Sequence, residues 1–92
     1  MRGTRKIIFL HKTGLHMRPA GRIMETAKRY QSDIRLVWEG RSANAKSILD
    51  MLTMALPPGA ELAIEADGPD AETALDALEQ LIRGNINVYE DV

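Results

Sequence analysis

The stretch Gly14-Leu15-His16-Met17-Arg18-Pro19-Ala20 brings a histidine, a cation and the start of a helix together. Downstream, Ala20, Ile23, Met24, Ala27 and Tyr30 fall at the i, i+3, i+4, i+7 spacing of one helical face. Arg22, Glu25, Lys28 and Arg29 lie mostly on the other face, so the spacing predicts a helix from about Met17 to Tyr30. Pro19 fixes φ near ~−65° and has no N–H to satisfy, which suits a first helical turn, while Gly14 permits a tight approach from the segment before it. His16 then lies at or next to the N-cap.

That position has chemical consequences. The first N–H groups of a helix lack partners within it, and the helix dipole adds roughly half a positive charge there. An anion attached to His16 is favoured, and Arg18 offers a planar fork of donors that matches a tetrahedral oxyanion. The functional reading is a histidine whose ring nitrogen accepts a phosphoryl group, with Arg18 and the N–H groups of Met17 and Arg18 holding the oxygens. The plain alternative is a loop histidine. A metal site made from His11 and His16 is a poor third reading, because two histidines without nearby carboxylates or cysteines make a weak ligand set. No metal and no cofactor is expected.

Working outward, Lys6 to Leu10 is β-branched and apolar and reads as a strand that feeds the histidine loop through His11, Lys12, Thr13 and Gly14. After the polar break Gln31-Ser32-Asp33, Ile34, Leu36 and Trp38 alternate with Arg35, Val37 and Glu39 as a half-buried strand. Glu39-Gly40 turns the chain, and Arg41 to Ala43 returns as a short edge strand. Trp38 near that turn either caps the core or stands exposed as a contact residue.

From Asn44 the pattern is helical again, with Ser47 followed by Ile48 to Leu56 and more apolar residues than one face can bury. Either Ile48, Leu49 and Leu52 face outward as a docking patch, or the helix is deeply buried. Ser47 is placed as an N-cap, and a phosphate added to it would meet a favourable dipole with Lys46 adjacent. Pro57-Pro58-Gly59 ends the helix, and Leu62, Ile64 and Ala66 alternate with Ala63 and Glu65 as a last strand. Asp70 is expected to cap a final helix whose first turn suits Glu72. Its buried face is Ala71, Ala74, Leu75, Leu78, Leu81 and Ile82, with Gly84 as the stop. Residues 85–92 show no clear period and read as a C-terminal extension that frays or adds a short extended segment.

The order β-α-β-β-α-β-α describes one α+β domain over residues 1–92, an open-faced two-layer sandwich with helices on one face of an antiparallel sheet. Ninety-two residues with 45% hydrophobic content support a modest core. The absence of cysteine excludes disulfides and thiol chemistry and is compatible with a cytoplasmic setting. The apolar run Ile7 to Leu10 is too short for a signal core or a membrane span. A net charge of −1 argues against general nucleic-acid binding. Arg18, Arg22, Lys28 and Arg29 fall early and the carboxylates concentrate after Glu61, which steers an acidic partner protein towards His16.

Taken together, the Gly14 to Ala20 motif, Ser32-Asp33-Ile34, Asn44-Ala45-Lys46-Ser47-Ile48, Gly59 and the helix beginning Asp70-Ala71 resemble the HPr phosphocarrier proteins of the bacterial phosphotransferase system. The resemblance implies a four-stranded antiparallel sheet of order 1-4-2-3 with three helices on one side, in a monomer. It places the phosphorylated histidine (pros nitrogen) on His16, the phosphate-binding arginine on Arg18 and a regulatory serine on Ser47, where a serine kinase or phosphorylase acts. Partner docking would fall on Met17, Ile48, Leu49 and Leu52. It implies phospho-enzyme I, charged by phosphoenolpyruvate, as donor and an enzyme IIA-type protein as acceptor; the protein is then a carrier and not an enzyme. The alternative is a regulatory HPr-like interaction module, nitrogen-type or corepressor-like, signalling through phosphorylation of His16 or Ser47. Three residues depart from the family pattern. Met17 replaces a small residue beside the nucleophile, Asp50 adds a negative charge in the partner-contact region, and Ala55 stands where a glycine would suit an αL helix end.

Overall fold

The computed structural model describes residues 1–11 and 13–85. The strands are β1 (Arg2–Phe9), β2 (Asp33–Trp38), β3 (Arg41–Asn44) and β4 (Ala60–Asp67), and the helices are α1 (Met17–Ala27), α2 (Ile48–Leu52) and α3 (Ala71–Gln80), followed by one π-helical turn, Leu81–Asn85. The sheet is antiparallel with order β1-β4-β2-β3, as the resemblance implied. Central β4 shows why one face is covered. Ala60, Leu62, Ile64 and Ala66 are buried while Glu61, Glu65 and Asp67 face solvent, the two-residue period of a sheet wetted on one side. Beneath it Phe9, Ile34, Leu36, Leu62 and Ile64 meet Ile23 of α1, Met51 of α2 and Leu75 and Leu78 of α3 in one core.

Several boundaries differ from the sequence reading. β1 begins at Arg2, not Lys6: its basic start pairs with the acidic end of β4, Arg2 opposite Asp67 and Thr4 opposite Glu65. α1 closes at Ala27, and the chain continues through Lys28 to Tyr30 as turns. β3 is a four-residue edge strand, and Trp38 at its hairpin is half-buried against the core with the Arg41 guanidinium 6.0 Å from its ring centroid.

The apolar stretch after Ser47 is the largest correction, because only Ile48–Leu52 is helical. The Thr53 hydroxyl donates to the Asp50 carbonyl at 2.6 Å, and Ala55 takes a left-handed φ of +52°, so the αL turn expected of glycine is present with alanine in it. Met54 and Leu56 are buried without being helical. Leu49 alone of the predicted patch points outward, 76% exposed, whereas Ile48 and Leu52 are half-buried against the core.

At the other end of the sheet, Asp70 does not cap its own helix. Its carboxylate accepts from the Gln31 N–H at 2.9 Å, the Ser32 N–H at 3.0 Å and the Ser32 hydroxyl at 2.6 Å, so it ties the loop after α1 to the start of α3. A Cβ at Gly68 would lie 2.5 Å from the Ser32 oxygen, so only glycine lets the two turns close. Glu72 does occupy the first turn of α3, but its carboxylate, with those of Asp76 and Glu79, receives the guanidinium of Arg5 from β1. The expected buried face of α3 is observed, with Leu81 half-buried; Gly84 lies inside the π turn instead of ending the helix. Residues 86–92 of the expected extension lie outside the described residues.

Candidate functional site

Backbone hydrogen bonds hold the histidine loop. The Phe9 carbonyl accepts the Gly59 N–H at 2.7 Å, the His11 carbonyl accepts the Gly14 N–H at 3.0 Å, and the Leu15 N–H donates to the Leu56 carbonyl at 3.0 Å. Gly14 has φ +78°, and a Cβ there would stand 2.7 Å from that Leu56 carbonyl. The glycine is therefore required twice, by the left-handed backbone and by the lack of room. Leu15 is buried beyond it, and the chain emerges at His16.

His16 is the N-cap of α1, with extended φ −121° and ψ −167°, and its carbonyl accepts the Ala20 N–H at 3.0 Å. Its ring makes no side-chain cap, and no acidic residue occupies the first turn. The ring is half-buried; Met17 (64% exposed) and Arg18 stand in solvent, and Pro19 and Ala20 turn into the core. His16, Met17 and Arg18 thus share one wet helix start, as the sequence predicts. A shallow groove beside it, between α1 and α2, is lined by Met17, Arg18, Gly21, Arg22, Met24, Glu25 and Ile48.

Ser47 is the N-cap of α2, and its Oγ accepts the Asp50 N–H at 3.1 Å. Its surroundings differ from those expected. Lys46 Nζ donates to the Tyr30 carbonyl at 2.8 Å, so the expected cation is committed to the turn that follows α1, and a five-residue helix carries little dipole. Asp50 accepts the Asn44 N–H at 2.7 Å, which turns its charge back towards β3 and not out to a partner.

A residue that sequence reasoning set aside is part of this site. His11 is 2% exposed, and its ring centroid lies 5.0 Å from that of His16 in an edge-to-face arrangement. The available signal was the alternation Ile7, Phe9, His11, which carries the inward face of β1 past its last paired residue. The two imidazoles have no third companion for a metal: among the described residues no group of three His, Cys, Asp or Glu side chains is placed to hold one.

A half-exposed histidine on a shallow face, at a helix start with no side-chain cap, is the arrangement that a small protein carrying an anionic group would need. The model of the family described as PTS HPr component phosphorylation site matches residues 4–84. The chain belongs to this HPr family and is a phosphoryl carrier, not an enzyme. It is 42% identical over 82 residues to the phosphocarrier protein HPr of Treponema pallidum (strain Nichols), covering 89% of this chain and 90% of that one. With the phosphocarrier protein HPr of Mycoplasma capricolum subsp. capricolum it shares 38% identity over 73 residues, 79% of this chain and 82% of the relative. The crystal structure of HPr-C-His from Thermoanaerobacter tengcongensis superposes with a TM-score of 0.87 at 33% identity, covering 91% and 94% of the two chains. Among the described residues no helix is long and apolar enough to cross a membrane.

Proposed function

We propose that His16 is the phosphoryl acceptor, charged by phospho-enzyme I at the expense of phosphoenolpyruvate and discharged to an enzyme IIA-type protein in the cytoplasm. The observation that carries this reading is the uncapped start of α1: an extended, half-exposed histidine at the N-cap, with no acid in the first turn and Arg18 two residues on. In the transfer, a bond forms between phosphorus and the pros nitrogen of His16 as the donor's bond to phosphorus breaks and its electron pair stays with the donor. The unprotonated ring nitrogen of an imidazole offers its lone pair directly and needs no general base to attack. Arg18 and the Met17 N–H then receive the phosphoryl oxygens. Helix-start stabilisation of ~0.3–1 kcal/mol orients the group without trapping it, so that it can pass on.

Met17 and Leu49, both exposed, are the apolar contacts for donor and acceptor, with Ile48 and Leu52 supporting them from below. Where a serine kinase exists, a phosphate on Ser47 adds charge beside this patch and weakens docking. The test is labelled phosphoenolpyruvate with enzyme I. The wild-type chain is expected to take up an acid-labile label and pass it to an enzyme IIA domain, and His16→Ala to take up none. Label on the folded His16→Ala protein would overturn the assignment.

A further inference from the structure

Two polar residues are buried among the described ones, His11 and Ser32. Ser32 is accounted for by Asp70, whereas nothing in the carrier reading uses His11. A buried imidazole asks for a purpose, because an apolar side chain would fill the same space without a polar atom to satisfy.

The His11 ring is fixed on two sides. Its Nδ1 accepts the Thr13 N–H at 3.3 Å and lies 3.0 Å from the Thr13 hydroxyl oxygen. A backbone N–H only donates, so Nδ1 carries no proton, and the neutral ring has its proton on Nε2. One neighbour is Phe9, stacked at 6.1 Å between centroids with planes 27° apart; the other is His16, at 5.0 Å with planes 67° apart. The turn that carries this ring is itself closed by the Gly14 N–H on the His11 carbonyl. A tethered ring thus stands against the side chain that takes the phosphoryl group.

We infer that His11 is a positioning residue: its ring, tethered through Thr13 and backed by Phe9, holds the His16 imidazole in one orientation at the start of α1. The edge-to-face contact removes part of the His16 ring's freedom before a donor arrives, so the attacking nitrogen meets phosphorus in one pose and not as a minor member of several. This deepens the carrier reading and rests on it for the phosphoryl step, but the orientation of the His16 ring can be measured without any transfer.

The experiment compares His11→Ala, His11→Asn and His11→Phe with the wild-type chain. Asn keeps an acceptor for Thr13 and lacks the ring, while Phe keeps the ring and lacks the acceptor. NMR side-chain couplings of His16 are expected to report one dominant rotamer in the wild type and in His11→Phe, and averaged rotamers in His11→Ala and His11→Asn. With enzyme I, His11→Ala and His11→Asn are expected to lose about three- to tenfold in kcat with KM for the carrier unchanged, and His11→Phe to stay within about twofold. Unchanged His16 couplings and unchanged kcat in a folded His11→Asn protein would overturn the inference, as would a loss in His11→Phe equal to that in His11→Asn. If the wild-type chain took no label at all, the carrier reading of His16 would fail, and the couplings would still decide whether His11 orients the ring.

Discussion

The starts of α1 and α2 both enter from an extended N-cap residue and treat their first N–H groups in opposite ways. At α2, Ser47 turns its hydroxyl inward to accept the Asp50 N–H, and Asp50 puts an acid in the first turn. At α1, His16 supplies no cap and the first turn holds no acid. One start answers an orphan donor with its own side chain; the other does not, and on the proposed reading a phosphoryl group on His16 would take that task. Stability and receptivity are alternatives at a helix N-terminus, and the proposed reading assigns the first to α2 and the second to α1.

The harshest way to break the contrast is to make α1 cap itself. His16→Asp is expected to abolish phosphoryl acceptance while stabilising the fold by about 1 kcal/mol, read by labelling and by urea unfolding. A His16→Asp chain that loses stability would mean that the histidine contributes more to the fold than the cap geometry indicates. Arg18→Ala sharpens the contrast from the cation side: transfer slows by about tenfold, the equivalent of ~1.4 kcal/mol, with the melting temperature unchanged because Arg18 is exposed.

At α2 the expectations reverse. Ser47→Ala costs about 1 kcal/mol in stability with transfer nearly unaffected, whereas Ser47→Asp keeps the cap and weakens enzyme I binding through its charge, a difference that calorimetry of the two variants resolves. The smallest effect lies at α3. The Ser32 hydroxyl, then the Gln31 N–H, lower the Asp70 carboxyl from its ordinary value of 3.8. A carboxylate depressed in the fold adds stability that is complete above its unfolded pKa and is lost as pH falls through the folded one. Asp70→Asn should therefore be less stable than wild type near pH 6, with the gap closing on acidification below about pH 4. A gap that widened in acid would show the sign to be wrong.

The sequence made the element order and the His16 loop legible because both rest on local signals, the shift of period from two to 3.6 and the Gly14 to Pro19 punctuation. What it concealed depends on partners distant in the chain. Arg2 to Arg5 lacks the apolar signal that begins at Lys6, and it becomes strand only because β4 supplies Asp67 opposite Arg2 and Glu65 opposite Thr4. Asp70 reads as a cap until Ser32, far upstream, comes within 2.6 Å of its carboxylate. The run Ile48 to Leu56 reads as one helix because a buried irregular segment and a buried helix share an apolar composition; the Thr53 hydroxyl on the Asp50 carbonyl and the left-handed Ala55 decide where it stops. Near the histidine loop, the placement of His16 and Arg18 at a helix start was legible from spacing, while the contact made by His11 was not, since it appears only when the turn folds its ring against that of His16.

The joint at Gly14 has a consequence for how such a carrier can change over generations. The height of His16 above the sheet is metered by main-chain atoms, the Leu15 N–H and Leu56 carbonyl, with a side-chain-free residue wedged beside them. If Met17 and Leu49 dock partners as proposed, substitutions at these exposed positions would retune which proteins dock without moving the His16 ring. On that reading, lineages would be at liberty to acquire new clients while the delivery point stayed where it was.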